Sequence, residues 1–473
     1  MMLAGEADGE QPAPVTESER FVPPRPPISK VASEWLRPNE ILRLDPLAVW
    51  PEAAYQRDHY VRRLPGLRRL LLNSAESVRH VLVDNYTNYR RAPGAARVLW
   101  PLAGDGLLLS EGDEWRHQRR TIAPALNPRS VPVLAAHVVS AGKELLTELR
   151  EQQQRPLDLL SIMQRTSLEI AGRSMFSLEM GEHGLALRGY VARFTDDLGR
   201  PSLIDMMTPA SMSAPRDRAR KRFHADWMRL IEDIVATRLR HQHETSAAGP
   251  RDLFDLLLSA RDPESGEHFS RAQLCDQVAT MIAAGHETTG TTLFWSLYLL
   301  ACAPWAQDRV AAEALTVDIS EGSVSQALAL LPYARAVVSE TLRLYPPAYT
   351  ISRQAIRDDA VGDIAIRAGM QVIVMPWVLH RHRRYWSEPD RFCPTRFGPE
   401  SPTPDRFRYL PFGIGPRVCV GAAFAMAEVT LLVALIVREF RIELCEPTAV
   451  LPVARLTLQP DRPAQFRLVP RAR

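Results

Sequence analysis

The sequence predicts a mainly α-helical body with a small β region, and three stretches carry that prediction. Ser270-Arg271-Ala272-Gln273 is an S-x-x-Q capping box, and the helical pattern it opens runs to Cys302 before Pro304 stops it. At about 1.5 Å per residue, those 33 residues make a helix roughly 50 Å long, enough to cross the whole molecule. A second apolar helical run extends from Ala422 to Phe440, directly after a glycine-rich loop. Between Val361 and Val374, apolar residues alternate around Gly362 and Gly369, as in short sheet strands.

At 473 residues the chain exceeds the size at which one core usually stops growing, so two or three domains would be the default. The motifs below favour one large catalytic body over 31–473 instead. Residues 1–30 hold Pro12, Pro14, Pro23, Pro24, Pro26 and Pro27 and read as a disordered arm. Charged residues are 24% and the net charge is +3, which gives nucleic-acid binding no support. Five cysteines, an odd number with no C-x-x-C pair, argue for a reducing, cytoplasmic setting without a disulfide framework or zinc site. Met1 to Arg20 is polar, and apolar runs such as Leu293 to Pro304 are too short to span about 30 Å of hydrocarbon, so no membrane anchor is expected.

Along the chain, Tyr60 to Leu72 reads as strands broken at Pro65-Gly66, and Asn73 with Glu76 as a capping box opening a helix to Asp84. Asn85 to Glu111 has no clear period and reads as an irregular connection. Asp113 to Ile122 is helical, with Trp115 and Arg119 on one face at i and i+4. Helices between Val131 and Arg240 are interrupted by Pro201, Pro209 and Pro215, where Met206 and Met207 read as an adaptable lid or as core filler. Glu244 to Pro250 reads as a surface loop, and the run His380 to Arg384 as a solvated or partner-facing basic patch.

Three groups carry chemistry. In Phe412-Gly413-Ile414-Gly415-Pro416-Arg417-Val418-Cys419-Val420-Gly421 a lone thiol sits between glycines and opens a helix, where backbone N–H groups favour its thiolate form, as an iron ligand requires. Arg417 adds a fixed positive charge for an anionic cofactor edge. In the long helix, Glu287 is the only Asp, Glu, Lys or Arg between 277 and 307, and its helical neighbours Ala283, Gly290 and Phe294 make an apolar face. A carboxylate there is costly to bury and so points to a function, although His286 beside it is also compatible with a solvated patch. Gly285 lets a flat group approach the backbone, and Thr288 can bond back to the Ala284 carbonyl and bend the helix.

The intact F-G-x-G-x-R-x-C-x-G loop, A-G-x-E-T-T at 284–289, E-x-x-R at Glu340 to Arg343 and W-x-x-x-R at Trp115 to Arg119 resemble, in the same order, the motifs of the cytochrome P-450 superfamily of soluble bacterial type. The resemblance covers roughly residues 75 to 465. It implies the cytochrome P-450 fold, with haem b (iron protoporphyrin IX) buried between the long helix and the cysteine-loop helix and Cys419 as the iron ligand. By the same resemblance Trp115, Arg119, Arg353 and Arg417 hold the haem propionates, and Ala284, Gly285, Phe412, Gly413 and Gly421 surround the ring. Thr288 and Glu287 deliver protons. Glu340, Arg343 and Arg396 form a buried network, although Thr395 stands where the family usually has glutamate. Met281, Ala284, Ala348, Ile351, Met206 and Met207 are the expected substrate walls.

The implied activity is monooxygenation of a small apolar organic substrate with O2. About 50 residues follow Cys419, which leaves no room for a fused reductase, so electrons are expected from a separate ferredoxin or flavodoxin with its reductase. Arg116 and Arg120 are expected to form its basic docking patch. The protein is expected to be a monomer. A peroxide-driven or isomerising haem-thiolate enzyme and a non-catalytic haem or gas-binding protein share the cysteine and remain alternatives.

Overall fold

The computed structural model describes residues 20–31, 45–64, 67–152, 155–177, 181–199, 202, 204–205, 208–209, 211–240 and 252–471. Its first half carries the helices α1 (Ala75–Arg79), α2 (Pro93–Ala103), α3 (Gly112–Ile122), α4 (Val131–Gln152), α5 (Leu159–Phe176), α6 (Gly181–Arg193), α7 (Asp217–Arg240) and α8 (Leu253–Ser259). The long α9 (Arg271–Cys302) follows, then α10 (Pro304–Leu315), α11 (Val324–Ala329), α12 (Pro332–Leu344), α13 (Pro376–Leu379) and α14 (Ala422–Glu439). The strands are β1 (His59–Leu64), β2 (Leu67–Leu72), β3 (Tyr89–Arg91), β4 (Leu157–Asp158), β5 (Ile351–Ala355), β6 (Asp359–Val361), β7 (Ile364–Ile366), β8 (Gln371–Val374), β9 (Phe440–Leu444), β10 (Pro452–Ala454), β11 (Leu458–Pro460) and β12 (Gln465–Pro470). They form a five-stranded sheet in the order β1-β2-β8-β5-β3, a three-stranded sheet β4-β12-β9, and two hairpins, β6-β7 and β10-β11. Only the β2–β8 pairing is parallel among these ladders.

Helix α9 organises the core. Its capping box is complete: Gln273 N–H donates to Ser270 Oγ at 3.2 Å, and Ser270 N–H donates to Gln273 Oε1 at 2.9 Å. From Leu293 to Leu300 it is buried all round, as expected of a helix that crosses a large body rather than lying on its surface. Pro304 does more than stop it, since it occupies the first turn of α10, where a missing N–H costs nothing. At Gly290 the backbone of α5 comes so close that a Cβ would lie 2.8 Å from Gln164 Cα. Small size at that position sets how tightly α5 and α9 cross. One apolar cluster joins α9 to α4, α5, α10, α12 and α14, and a second joins its N-terminal half to α7 and α8.

Several local expectations are corrected. Ser74, not Asn73, caps α1, accepting from Ser77 N–H, while the Asn73 side chain donates to the carbonyls of Ala54 and Arg57. The helix to Asp84 finishes as a π-turn over His80–Asp84. Asn85 to Glu111 is largely ordered as β3 and α2, whose helical signal Pro93 and Pro101 concealed. Part of the expected arm is docked: Tyr345 donates to Pro24 O at 2.7 Å, Phe392 N–H to Phe21 O at 3.0 Å, and Arg25 pairs with Asp390.

The basic run at His380 to Arg384 is split: His380, Arg381 and His382 are buried, whereas Arg383 and Arg384 are exposed as expected and pair with Glu52 and Asp58. Arg381 donates to the Leu344 carbonyl and lies over the Trp377 ring, and His380 Nε2 accepts from Leu410 N–H at 2.8 Å. Met206, Met207 and Glu244 to Pro250 lie outside the described residues. Among the described residues no helix is long and apolar enough to cross a membrane.

Candidate cofactor and active site

The cysteine loop is shaped by two glycines and closed by one hydrogen bond. Gly413 and Gly415 have φ of 70° and 78°, a region that disfavours any side chain, and a Cβ on Gly415 would lie 2.2 Å from Leu82 O. Cys419 N–H donates to Phe412 O at 2.9 Å and so fixes the sulfur above the turn. Burial pushes the Cys419 thiol up, while the Gly421 N–H and the Arg119 charge pull it down. The thiolate-favouring contacts expected from the sequence are therefore present, but burial outweighs them in the bare thiol. Cys419 is nonetheless exposed, and no residue from 411 to 426 is buried, whereas 427 to 437 are all buried. A surface loop would not be so desolvated, so the sulfur opens onto an internal space.

The same opening is visible from α9. Between Val278 and Leu300 every residue is buried except Ala283, Ala284, Gly285 and Thr288. Thr288 Oγ1 donates to Ala284 O at 2.6 Å, taking up a carbonyl of the helix ladder at this point, as the sequence anticipated. Thr292 repeats the bond to Thr288 O at 2.7 Å and Ser296 to Thr292 O at 2.8 Å. Ala348 is exposed, and Ile351 Cδ1 lies 4.0 Å from where a Gly413 Cβ would be, so the start of β5 borders the cysteine loop. Met281, expected in the substrate wall, is buried and lines a narrow gap with Met175, Leu253, Phe254, Leu257 and Val278. Gly285 turns its open side toward Met175 at 3.7 Å, which leaves Ala284 as the most exposed position of this segment.

Glu287 is 2% exposed. Its Oε1 accepts from Thr457 Oγ1 and Gln459 Nε2, both at 2.8 Å, at the β10–β11 hairpin, and Oε2 has no partner. Burial raises its pKa, and Thr457, Gln459, Thr195 and Arg455 partly oppose the rise. His286 is also buried, so the reading of a solvated patch there is set aside.

Beside the cysteine loop lies a group of guanidinium ions with too few acids. Arg417 donates to Ser110 O at 3.0 Å and to Glu111, with its guanidinium 4.4 Å from the centre of the buried Trp115 ring. Arg119 donates to Val418 O at 2.7 Å. Arg353 stands opposite Arg91 in the β3–β5 register. Arg91 was missed by the sequence reading, because only strand pairing brings it here. Burial and the neighbouring Arg353 and Arg417 lower its pKa to about 9, with only Glu111 opposing them, and its Nε is buried without a partner. Arg353 is lowered to about 10 for the same reasons, burial first and then Arg417. Such a site is short of negative charge.

The supporting frame is buried. Glu340 and Arg343 are both 0% exposed and pair through two contacts at 2.7 and 2.8 Å. Arg343 also donates to the carbonyls of His380, Pro389 and Arg391, and Arg396 Nε lies 3.6 Å from Glu340. The expected basic patch on α3 is largely offset: Arg116 bonds Asp113, and Arg120 bonds Asp262 at 2.9 and 2.8 Å.

Comparison with known proteins agrees with this geometry. The family description "Cytochrome P450" matches residues 59–468. The chain belongs to the cytochrome P450 family. It is 31% identical over 375 residues, 78% of this chain and 72% of the relative, to a cytokinin hydroxylase of Arabidopsis thaliana. It is 28% identical over 444 residues, 91% and 93% of the two chains, to cyclooctat-9-en-7-ol 5-monooxygenase of Streptomyces melanosporofaciens. With the Arabidopsis thaliana protein LUTEIN DEFICIENT 5, chloroplastic, it shares 29% identity over 398 residues, 79% of this chain but 65% of that relative's length. The crystal structure of the P450DA heme domain superposes with a TM-score of 0.75 over 88% of this chain and 90% of that one, at 24% identity, which speaks for the fold alone.

P450 proteins bind haem b through a cysteine thiolate. The residues here fit that group on three counts. Cys419 opens onto an enclosed space, and a Cβ at Gly421 would meet nothing within 4 Å. Between Val278 and Leu300 of the long helix, the only open positions are Ala283, Ala284, Gly285 and Thr288. Arg91, Arg353 and Arg417 share the single acid Glu111 and so leave a net positive charge where carboxylates of a cofactor edge would be bound.

Proposed function

We propose that this P450 is a haem-thiolate monooxygenase that inserts one oxygen atom of O2 into a small apolar organic substrate, with electrons from a separate ferredoxin or flavodoxin and its reductase. The balance is RH + O2 + 2 e⁻ + 2 H⁺ giving ROH + H2O. One observation carries the reading: the exposed Ala284–Thr288 turn of α9 keeps a hydroxyl beside a buried, partly unpartnered carboxyl. The monooxygenase and hydroxylase names of two relatives support the same class.

When bound, the haem supplies oxygen activation and Cys419 its thiolate ligand; a bound metal cation deprotonates such a thiol outright, which offsets the burial that raises it here. Trp115, Arg91, Arg119, Arg353 and Arg417 hold the carboxylate edge. Ala284, Ala348 and Ile351 offer apolar surface and orient substrate by exclusion rather than by hydrogen bonds. Thr288 Oγ1 can present its oxygen to the open side while donating to Ala284 O. Glu287 holds a proton at Oε2 more readily than an exposed glutamate would, because burial raises its pKa.

The test is turnover of apolar candidates under 18O2 with a ferredoxin and its reductase. The proposal expects one labelled oxygen atom per product and dependence on the electron supply. Label arriving from water, or product formed equally well without reductant, would overturn it.

A further inference from the structure

The β10–β11 hairpin meets three successive turns of α9. Glu287 Oε1 accepts from Thr457 Oγ1 and from Gln459 Nε2, both at 2.8 Å, Thr291 Oγ1 lies 3.5 Å from Thr457 Oγ1, and Trp295 Nε1 donates to Leu458 O at 2.7 Å. Positions 287, 291 and 295 form one face of a helix at steps of four. On the hairpin, Thr457 and Gln459 are two residues apart and share one face of the strand, while Leu458 turns to the other. The turn is held as well: Arg455 N–H donates to Thr457 O at 3.0 Å, and Tyr349 O–H donates to Arg455 O at 3.0 Å.

Glu287, Thr457 and Gln459 close a triangle, since Gln459 Nε2 also donates to Thr457 Oγ1 at 3.2 Å. The direction of each bond follows from what the groups can give. The amide NH2 has two hydrogens, one for Oε1 and one for the hydroxyl. A hydroxyl that accepts there still has its own hydrogen, which it donates to Oε1. An oxygen that receives two donors is the carbonyl oxygen of the neutral acid, so the hydrogen of the acid sits on Oε2. The last torsion of a glutamate is broad and two-fold, and without the hairpin the two oxygens can exchange places.

We propose that Thr457 and Gln459 are positioning residues for Glu287: by both donating to Oε1 they fix the plane of its carboxyl and assign the transferable hydrogen to Oε2. In each transfer Oε2 releases one proton, the two donors hold the carboxylate left behind, and water returns one proton to Oε2, so neither donor is consumed. This assignment rests on the proton-delivery role of Glu287 in the proposed monooxygenase.

Infrared spectroscopy of the cofactor-free and the haem-loaded protein tests it directly. At pH 4.5, the ordinary pKa of glutamate, burial keeps Glu287 protonated, and its carboxylic C=O stretch is the band lost in Glu287→Gln. Thr457→Val keeps the shape of threonine and removes one bond to that C=O, so the band should move to higher frequency. Gln459→Met removes one bond and also the donor that orients the Thr457 hydroxyl, and should move the band further. Each variant leaves the other donor in place and is expected to fold, which its melting temperature checks. In turnover both should lower product formed per electron pair about tenfold or more, with Thr457→Ser restoring the yield and the band position. A band unmoved in both variants, a yield unchanged where the band has moved, or a serine variant as displaced as the valine one overturns the assignment. Absence of 18O incorporation by the wild-type enzyme would instead sink the monooxygenase reading, and leaves the band positions to judge the hold on Glu287 separately.

Discussion

Arg91 and Arg353 face each other across neighbouring antiparallel strands, two guanidinium groups where like charges directly opposed are unfavourable. Glu111 is the one acid that opposes the lowered pKa of both, and Arg417 already claims one of its oxygens. The arrangement makes sense as a site held ready for an anion. Arg91→Ala should raise the melting temperature of the cofactor-free protein by relieving repulsion. It should also speed haem loss from the loaded protein by about ten- to a hundredfold, the loss of one charge-assisted hydrogen bond of about 1.5–3 kcal/mol. Thermal unfolding of both forms and the rate of haem transfer to an acceptor protein check the two halves.

The contact of Gly290 with Gln164 predicts a packing defect. A methyl at 290 would lie 2.8 Å from Gln164 Cα and 3.1 Å from its backbone nitrogen, and backbone cannot swing aside as a side-chain end can. Gly290→Ala should destabilise the protein by about 1–3 kcal/mol despite the better helix propensity of alanine. Denaturant unfolding against the wild type measures this.

Glu428, buried in α14 with Ser167 donating at 3.3 Å, predicts a pH dependence. Burial pushes its pKa up to about 8 from 4.5. The folded state then holds a proton that the unfolded state has released, so stability is full below pH 4.5 and falls as pH rises toward 8. Each unit of separation is about 1.4 kcal/mol, while the buried His286, lowered to about 4, acts the other way by losing stability as pH falls from 6.5 to about 4. Glu428→Gln should flatten the loss above pH 6.5, read from melting temperatures across pH 5 to 9.

What was legible in the sequence was what is local. The capping box at Ser270, the bond from Thr288 back to Ala284 and the pairing of Glu340 with Arg343 each lie within one helical turn, and all are found. The fold followed because such motifs in that order belong to one family. Arg91 was not legible, since only the pairing of β3 with β5 brings it to the site. The burial of His380 to His382 was missed for a related reason: a run of bases reads as solvated until the carbonyls of Leu344 and Trp377 and the backbone N–H of Leu410 are in place around it. Helix α2 was hidden by its own prolines, one at its start and one inside.

The central claim is that the Cys419 sulfur is the iron ligand, on the side of the cavity facing the open turn of α9. The absorption spectrum of the reduced, carbon monoxide-treated protein tests it most directly. The account predicts a main band far to the red of that given by histidine ligation, lost in Cys419→Ala. A histidine-type band in the wild type, or an unchanged red-shifted band in Cys419→Ala, would contradict it.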